Sequence, residues 1–200
     1  MSIEVEIKLR ISDKECIEKT LAEIGFCKGK FVMESDTYYM AEHHDFVGLD
    51  EALRVRCVEN RGTGERSAVI TYKGAKLDNT SMTRQELETS VGDGAVCREI
   101  LERIGFRSVP VVEKLRQYYH RDNITACVDA VTNLGDYLEL EIIVDEETKR
   151  EAALDQLEQT LHTLGYSMQD TTRTSYLSML LKKPVNKLFK LYTAEPYPFR

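Results

Sequence analysis

Hydrophobic and charged residues alternate one by one over several short stretches of the chain. In residues 3–10 the odd positions are apolar and the even positions are charged, so a β-strand would place the two sets on opposite faces. This pattern predicts a strand with one packed face and one charged face. Related patterns, with charged residues at strand spacing, recur at residues 54–56, 69–73, 84–88, 114–118, 129–131 and 138–142.

Segments with apolar residues at every third or fourth position predict helices between these strands. Asp13 and Asp93 are suited to cap the first turns of two of them, and a glycine follows each predicted end. In the second helix, Val96 and Ile100 belong to the apolar stripe that is expected to face the core. The predicted helices cover residues 14–24, 94–104, 147–164 and 174–182.

The first strand and helix have a counterpart 80 positions later. Residues 6–26 and residues 86–106 each begin with a glutamate in a strand and end with a helix that stops at Ile-Gly-Phe. A looser third copy, residues 139–166, ends at Leu-Gly-Tyr. The chain is therefore predicted to consist of two related halves, each with the order strand, helix, strand.

Composition and charge exclude several classes of protein. The chain has 200 residues, is 42% hydrophobic and carries a net charge of −7, which suits a folded domain but not a binder of long nucleic acids or anionic membranes. No run of apolar residues reaches membrane-helix length, and the N-terminus does not resemble a signal peptide. The five cysteines form no C-x-x-C pair, so neither a zinc site nor a disulfide framework is expected, and a reducing cytoplasm is favoured.

The charged faces of these strands suggest that the protein has a charged interior. One such strand normally turns its charges to water, but seven of them, with helices available to cover their apolar faces, favour a closed barrel with the charges inside. Unpaired buried charge is unfavourable, so we expect a water-filled tunnel that suits a compact polyanion and divalent cations. The expected inner acids are Glu4, Glu6, Glu86, Asp129, Glu139 and Glu141, and the expected inner bases are Lys8, Arg54, Arg56, Lys73, Lys114 and Arg116.

An ordered set of motifs along residues 1–181 resembles the CYTH superfamily of triphosphate tunnel enzymes, and the class IV adenylyl cyclase-like branch most of all. The motifs are Glu4-x-Glu6-x-Lys8, Asp36-Thr-Tyr38, Leu53-Arg54-Val-Arg56, Thr71-Tyr72-Lys73-Gly74, Arg84-x-Glu86, Lys114-x-Arg116-x-x-Tyr119, Asp129-x-Val131, Tyr137-x-Glu139-x-Glu141 and Ser175-Tyr176. The resemblance implies an α+β fold, an eight-stranded antiparallel β-barrel with α-helices packed outside. It covers a catalytic domain of residues 1–181 and leaves residues 182–200 as a C-terminal extension.

The resemblance also implies a role for each inner residue. Glu4, Glu6 and Lys8 would form the catalytic N-terminal motif. The metal ligands would be Glu4, Glu6, Glu86, Asp129, Glu139 and Glu141. The phosphate contacts would be Lys8, Arg54, Arg56, Lys73, Arg84, Lys114 and Arg116, although Arg84 has the alternative of pairing with a neighbouring acid. The expected cofactor is Mg²⁺ or Mn²⁺, with two ions, because carboxylates supply only oxygen ligands.

The implied activity is that of an adenylate cyclase, which converts ATP to cyclic AMP and pyrophosphate. Attack by water instead of the ribose hydroxyl would make the protein a hydrolase of inorganic tripolyphosphate, thiamine triphosphate or a nucleoside triphosphate. A non-catalytic module that binds polyphosphate or nucleotides is the third alternative. The expected partner is ATP or another small triphosphate, and a homodimer is a further hypothesis because residues 184–200 are rich in apolar and aromatic side chains.

Overall fold

The computed structural model describes residues 2–182. The strands are β1 (Ser2–Arg10), β2 (Cys27–Met40), β3 (Ala52–Asn60), β4 (Arg66–Lys76), β5 (Arg84–Val91), β6 (Arg107–Ser108), β7 (Val112–Arg121), β8 (Ile124–Val131) and β9 (Gly135–Val144). The helices are α1 (Lys14–Glu23), α2 (Gly94–Arg103), α3 (Arg150–Thr163) and α4 (Tyr176–Lys182), with 3₁₀ turns at Glu147–Lys149 and Met168–Asp170. No helix within residues 2–182 has the length and hydropathy that a membrane span requires. Apart from Lys182, the predicted extension lies outside the described residues, so its boundary stays a prediction.

Eight strands form a closed antiparallel barrel. Their order around it is β1, β5, β4, β3, β2, β7, β8 and β9, and β9 pairs with β1 again. Pairing of β2 with β3, from Val32 opposite Asn60 to Tyr39 opposite Leu53, completes the ring, while β6 is a short addition at the end of β2. The predicted eight-stranded antiparallel barrel with outer helices is confirmed.

The alternation in β1 decides which residues face the helices. The odd residues of β1 are buried in the main hydrophobic cluster, where they pack with Ile17 and Leu21 of α1 and Leu157 of α3. Because successive side chains of a strand point to opposite faces, the even residues point into the barrel. Burial of the apolar face against two helices therefore fixes the direction of the charged face.

Three helices end in the same way, which supports the predicted internal repeat. Gly25, Gly105 and Gly165 follow the ends of α1, α2 and α3, and all have positive φ angles, of 91°, 102° and 84°. The amide of the next aromatic residue donates in each case to the carbonyl of a leucine five positions earlier, which closes the last turn. The repeated Gly-aromatic pairs are therefore helix stop signals, and glycine is needed for the left-handed backbone.

The prediction that Val96 and Ile100 of α2 face the core was wrong. Leu101 is buried, but Val96, Ile100 and Ile104 are more than half exposed. The helix rests on β3 and β4 through Leu101 and the half-buried Cys97, four positions apart. A short helix on the convex outside of a barrel buries only one row of its side chains. The neighbouring apolar row is therefore left at the surface.

Candidate active site

Charged side chains line the inside of the barrel and form a network of ion pairs. All the acids and bases that were predicted to face inward take part in this network or lie beside it, whereas Arg84, a further predicted phosphate contact, has other partners. Several of them are less than a tenth exposed, which requires partners because uncompensated buried charge is costly. Most acids of the network fall into three groups, which differ in how many bases surround them, and Glu86 stands apart from these groups beside Lys73.

The first group, here called the carboxylate triad, consists of Glu4, Glu6 and Glu141. Glu6 of β1 lies directly opposite Glu141 of β9, and Glu4 is two residues before Glu6 on the same face. Carboxylate oxygens of the three residues lie within 4.8 Å of one another. Three convergent oxygen donors at this spacing are the ligand type that Mg²⁺ and Mn²⁺ prefer.

Few bases compensate the triad. Glu6 has Lys8 at 3.0 Å, whereas Glu4 has Lys73 at 3.7 Å and Glu141 has Arg116 at 3.8 Å. Burial raises the pKa of Glu141, and the neighbouring Glu4 raises it further. Burial likewise raises the pKa of Glu6, against the opposing effect of Lys8. A bound cation would relieve this charge, so the residues present fit the expected metal.

The second group consists of Asp129 and Glu139, which are paired with bases. Arg116 donates to both oxygens of Asp129, at 2.7 and 2.6 Å, and also to Glu139. Lys8 lies 2.9 Å from Glu139. Burial acts to raise the pKa of Glu139, but Lys8 and Arg116 outweigh it and the pKa falls well below its ordinary value. Both acids were predicted as metal ligands, and in this structure they hold bases in place.

The third group, the Glu34–Asp36 pair of β2, was missed as a site by sequence reasoning. Arg56 donates to both oxygens of Asp36, at 2.6 and 2.8 Å. Lys114 lies 2.9 Å from Glu34 and 3.2 Å from Asp36. Burial opposes ionisation, yet these bases hold the pKa of both acids below the ordinary value. Glu-Ser-Asp at strand spacing was the available signal, and only Asp36 had been noticed, as part of a motif.

The remaining predicted residues occupy the β3–β4–β5 side of the barrel. Lys73 donates a hydrogen bond to Glu86, and Arg54 donates to the Thr71 hydroxyl at 3.1 Å. Arg84 differs from the other bases, because its guanidinium donates to the backbone carbonyls of Gly74 at 3.1 Å and Asp50 at 3.4 Å. Its hydrogen bonds therefore support a role in holding β4 and the segment before β3 in place, and its predicted phosphate contact remains a prediction.

An aromatic residue that had only been noted as a motif position reaches the charged interior from α4. The hydroxyl of Tyr176 donates to Asp129 at 3.0 Å. The Lys8 ammonium lies 4.4 Å from the centre of the Tyr176 ring, and Tyr137 packs edge-on against it at 5.1 Å. Tyr176 thus closes part of the interior and contacts a base and an acid of the network.

Comparison with known proteins agrees with this architecture. The family model described as the CYTH domain matches residues 2–176. A Methanocaldococcus jannaschii protein that carries the name adenylate cyclase provisionally is 35% identical over 177 residues, which are 88% of this chain and 98% of that protein. The PH1819 protein of Pyrococcus horikoshii is also 35% identical, and its structure superposes with a TM-score of 0.82 over 90% of this chain and 98% of its own.

Two further relatives are more distant. Adenylate cyclase CyaB of Aeromonas hydrophila is 24% identical over 88% of this chain and 87% of its own. A Hippeastrum adenylyl cyclase-like protein, described as having a dominant triphosphatase activity, shares the fold with a TM-score of 0.59 at 15% identity, over 99% of this chain and 98% of its own. Barrel and site together define a protein of the triphosphate tunnel class. The chain belongs to the CYTH family, as its motifs predicted.

Proposed function

We propose that this protein is a metal-dependent enzyme that acts on a triphosphate inside the barrel, and that its reaction is the conversion of ATP to cyclic AMP and pyrophosphate. The observation that carries the proposal is the carboxylate triad beside Lys8 and Arg116, because this arrangement joins cation ligands to phosphate contacts. The adenylate cyclase names of the 35% and 24% identical relatives support the choice of reaction.

The carboxylate triad is the site that would hold Mg²⁺ or Mn²⁺. A divalent cation held there would neutralise triphosphate charge and acidify an oxygen nucleophile. The second expected ion, and the ligand roles of Glu86, Asp129 and Glu139, remain predictions.

The bases of the network would bind and orient the phosphate chain. Lys8, Lys114 and Arg116 converge inside the barrel, where each now contacts a carboxylate, and these contacts would be exchanged in part for phosphate oxygens. In the proposed reaction the 3′-hydroxyl oxygen bonds to the α-phosphorus, and the bond from that phosphorus to the bridging oxygen breaks. Pyrophosphate and the hydroxyl proton are released, and the bases stabilise the charge that develops on the leaving group.

Hydrolysis of a triphosphate is the second candidate function. The dominant triphosphatase activity of the Hippeastrum protein favours it, although at 15% identity that protein shares only the fold. The same triad and bases would then serve a water molecule that attacks a terminal phosphate. The two reactions differ in nucleophile and product, so product analysis separates them.

The test is to incubate the full chain with Mg²⁺ or Mn²⁺ and either ATP or inorganic tripolyphosphate, and to identify the products. Cyclic AMP with pyrophosphate in equal amounts is the expected result. Orthophosphate without cyclic AMP would establish the hydrolase instead, and binding without turnover would leave a binding module. Glu113→Gln, at an exposed position on β7, is a matched control that should turn over like the wild type.

A further inference from the structure

Two aromatic side chains of β7 continue the line of tunnel bases towards solvent. Lys114 and Arg116 are almost fully buried, Tyr118 is half-buried and His120 is exposed. All four alternate on the same face of β7, so they form a single row along the inside of the barrel. We call Tyr118 and His120 the rim pair, since the row leads from the buried network to the surface through them.

The rings of the rim pair are parallel and held. Their centroids lie 6.1 Å apart and their planes differ by 8°. The Tyr118 hydroxyl donates to Glu34 at 2.9 Å, which anchors its ring to the charged network. The imidazole of His120 lies within hydrogen-bond distance, 3.3 Å, of the Thr125 hydroxyl. Both rings are therefore oriented before any ligand binds.

Strand pairing places the rim pair close to the carboxylate triad. His120 of β7 lies opposite Thr125 of β8, which in turn lies opposite Glu141 of β9. At a strand spacing of about 4.8 Å, the backbones of His120 and Glu141 are roughly 10 Å apart. A triphosphate held at the triad and Arg116 therefore has its organic end within reach of the rim pair.

The backbone beside the rim pair is shaped to make room for the two rings. The pairing of β2 with β7 shifts register between Lys28 and Phe31, as in a β-bulge, and such irregularities are common at barrel rims and next to active sites. The Gln117 amide donates to the carbonyls of Gly29 at 2.9 Å and Lys30 at 3.1 Å. A Cβ at Gly29 would lie only 3.1 Å from the His120 ring and 3.3 Å from Tyr118.

We propose that the rim pair stacks against the nucleobase of the substrate, and so makes the tunnel selective for nucleoside triphosphates over inorganic tripolyphosphate. The inference deepens the proposed function and rests on it. Every nucleobase offers a flat aromatic face, and stacking on a side-chain ring needs no particular hydrogen-bond pattern. The rim pair thus binds the base while the bases of the network bind the phosphates that both kinds of substrate share.

The test compares KM for ATP with the inhibition constant of tripolyphosphate, which has no ribose hydroxyl and competes with ATP for the phosphate contacts, in His120→Ala, Tyr118→Leu and Tyr118→Phe. Loss of stacking in the first two should raise KM for ATP by about 5- to 100-fold and leave the inhibition constant of tripolyphosphate within about twofold. Tyr118→Phe keeps the ring and should keep the preference for ATP. His162→Ala, at an exposed position on α3, is the matched histidine control and should change neither constant.

Two results would overturn the inference: an unchanged KM for ATP in both ring-removing variants, or an equal rise of KM for ATP and of the inhibition constant of tripolyphosphate. If the wild type turns over neither substrate, the proposed function fails, and the inference is then tested by calorimetry. The probes are a non-hydrolysable ATP analogue and tripolyphosphate, each with Ca²⁺. Weaker binding of the analogue alone in His120→Ala supports stacking, whereas equal binding in variant and wild type contradicts it.

Discussion

The carboxylate triad and the Glu34–Asp36 pair occupy the same barrel interior and come from the same kind of sequence pattern, but they are opposite in electrostatic character. Around the pair, Arg56, Lys114 and Arg54 all lie within 4.0 Å of a carboxylate oxygen. Among the described residues, Glu141 of the triad forms one ion pair, with Arg116 at 3.8 Å. The pKa is lowered in the pair and raised for Glu6 and Glu141 of the triad.

This difference shows that burial of acids alone does not identify a metal site. The acids of the Glu34–Asp36 pair are the more deeply buried, but they are neutralised by bases and serve to hold those bases in position. The triad keeps a surplus of negative charge, which a cation can neutralise. We therefore assign the structural role to the pair and the ligand role to the triad, and the following predictions separate the two.

The largest expected effect is the loss of stability in Asp36→Asn. The change removes one of the two carboxylates that Arg56 and Lys114 share and leaves Glu34 as the other, and removal of one member of a buried ion pair costs about 3–5 kcal/mol. Urea unfolding measures the free energy of unfolding, with Glu113→Gln as the surface control. If the free energy of unfolding falls by less than about 1 kcal/mol, the Glu34–Asp36 pair is not what neutralises these bases.

The next effect is a loss of turnover, without a loss of stability, in Glu141→Gln. The amide keeps the shape of the side chain but removes a ligand charge, and changes even in the residues that support metal ligands cost about 10–100-fold. We expect turnover to fall by about 100-fold or more, while the free energy of unfolding in a metal chelator is unchanged or higher. Normal turnover in Glu141→Gln would contradict the ligand role of the triad. A marked loss of stability would show that Glu141 has the structural role that we give to the Glu34–Asp36 pair.

The smallest effect concerns the pH dependence of stability. The pKa values of Glu34 and Asp36 are lower in the folded protein than their ordinary values of 4.5 and 3.8. Their contribution to the free energy of unfolding is therefore complete above those values and is lost as the pH falls below them. Wild type should lose stability steeply below about pH 4. Asp36→Asn lacks one of these groups, so its stability curve in acid should be shallower, and a parallel curve would contradict the assignment.

Sequence reasoning reached the barrel because alternation, helix caps and glycine stops are local. Asp13 and Asp93 accept hydrogen bonds from the first turns of α1 and α2, as predicted. It could not show which base neutralises which acid. The contact between Lys114 and Asp36 joins residues 78 positions apart and depends on the register of β7 against β2. For the same reason, it could not show that Glu4, Glu6 and Glu141, among the six predicted acids, bring their carboxylate oxygens within 4.8 Å of one another.

The most direct test of the central claim is the affinity for Mn²⁺, followed by the electron paramagnetic resonance signal of the free ion. It compares wild type with Glu141→Gln, in the triad, and with the surface control Glu113→Gln. We predict that Glu141→Gln weakens Mn²⁺ binding about tenfold or more, while Glu113→Gln binds like the wild type within about twofold. Unchanged binding in Glu141→Gln would contradict the assignment of the metal to the carboxylate triad.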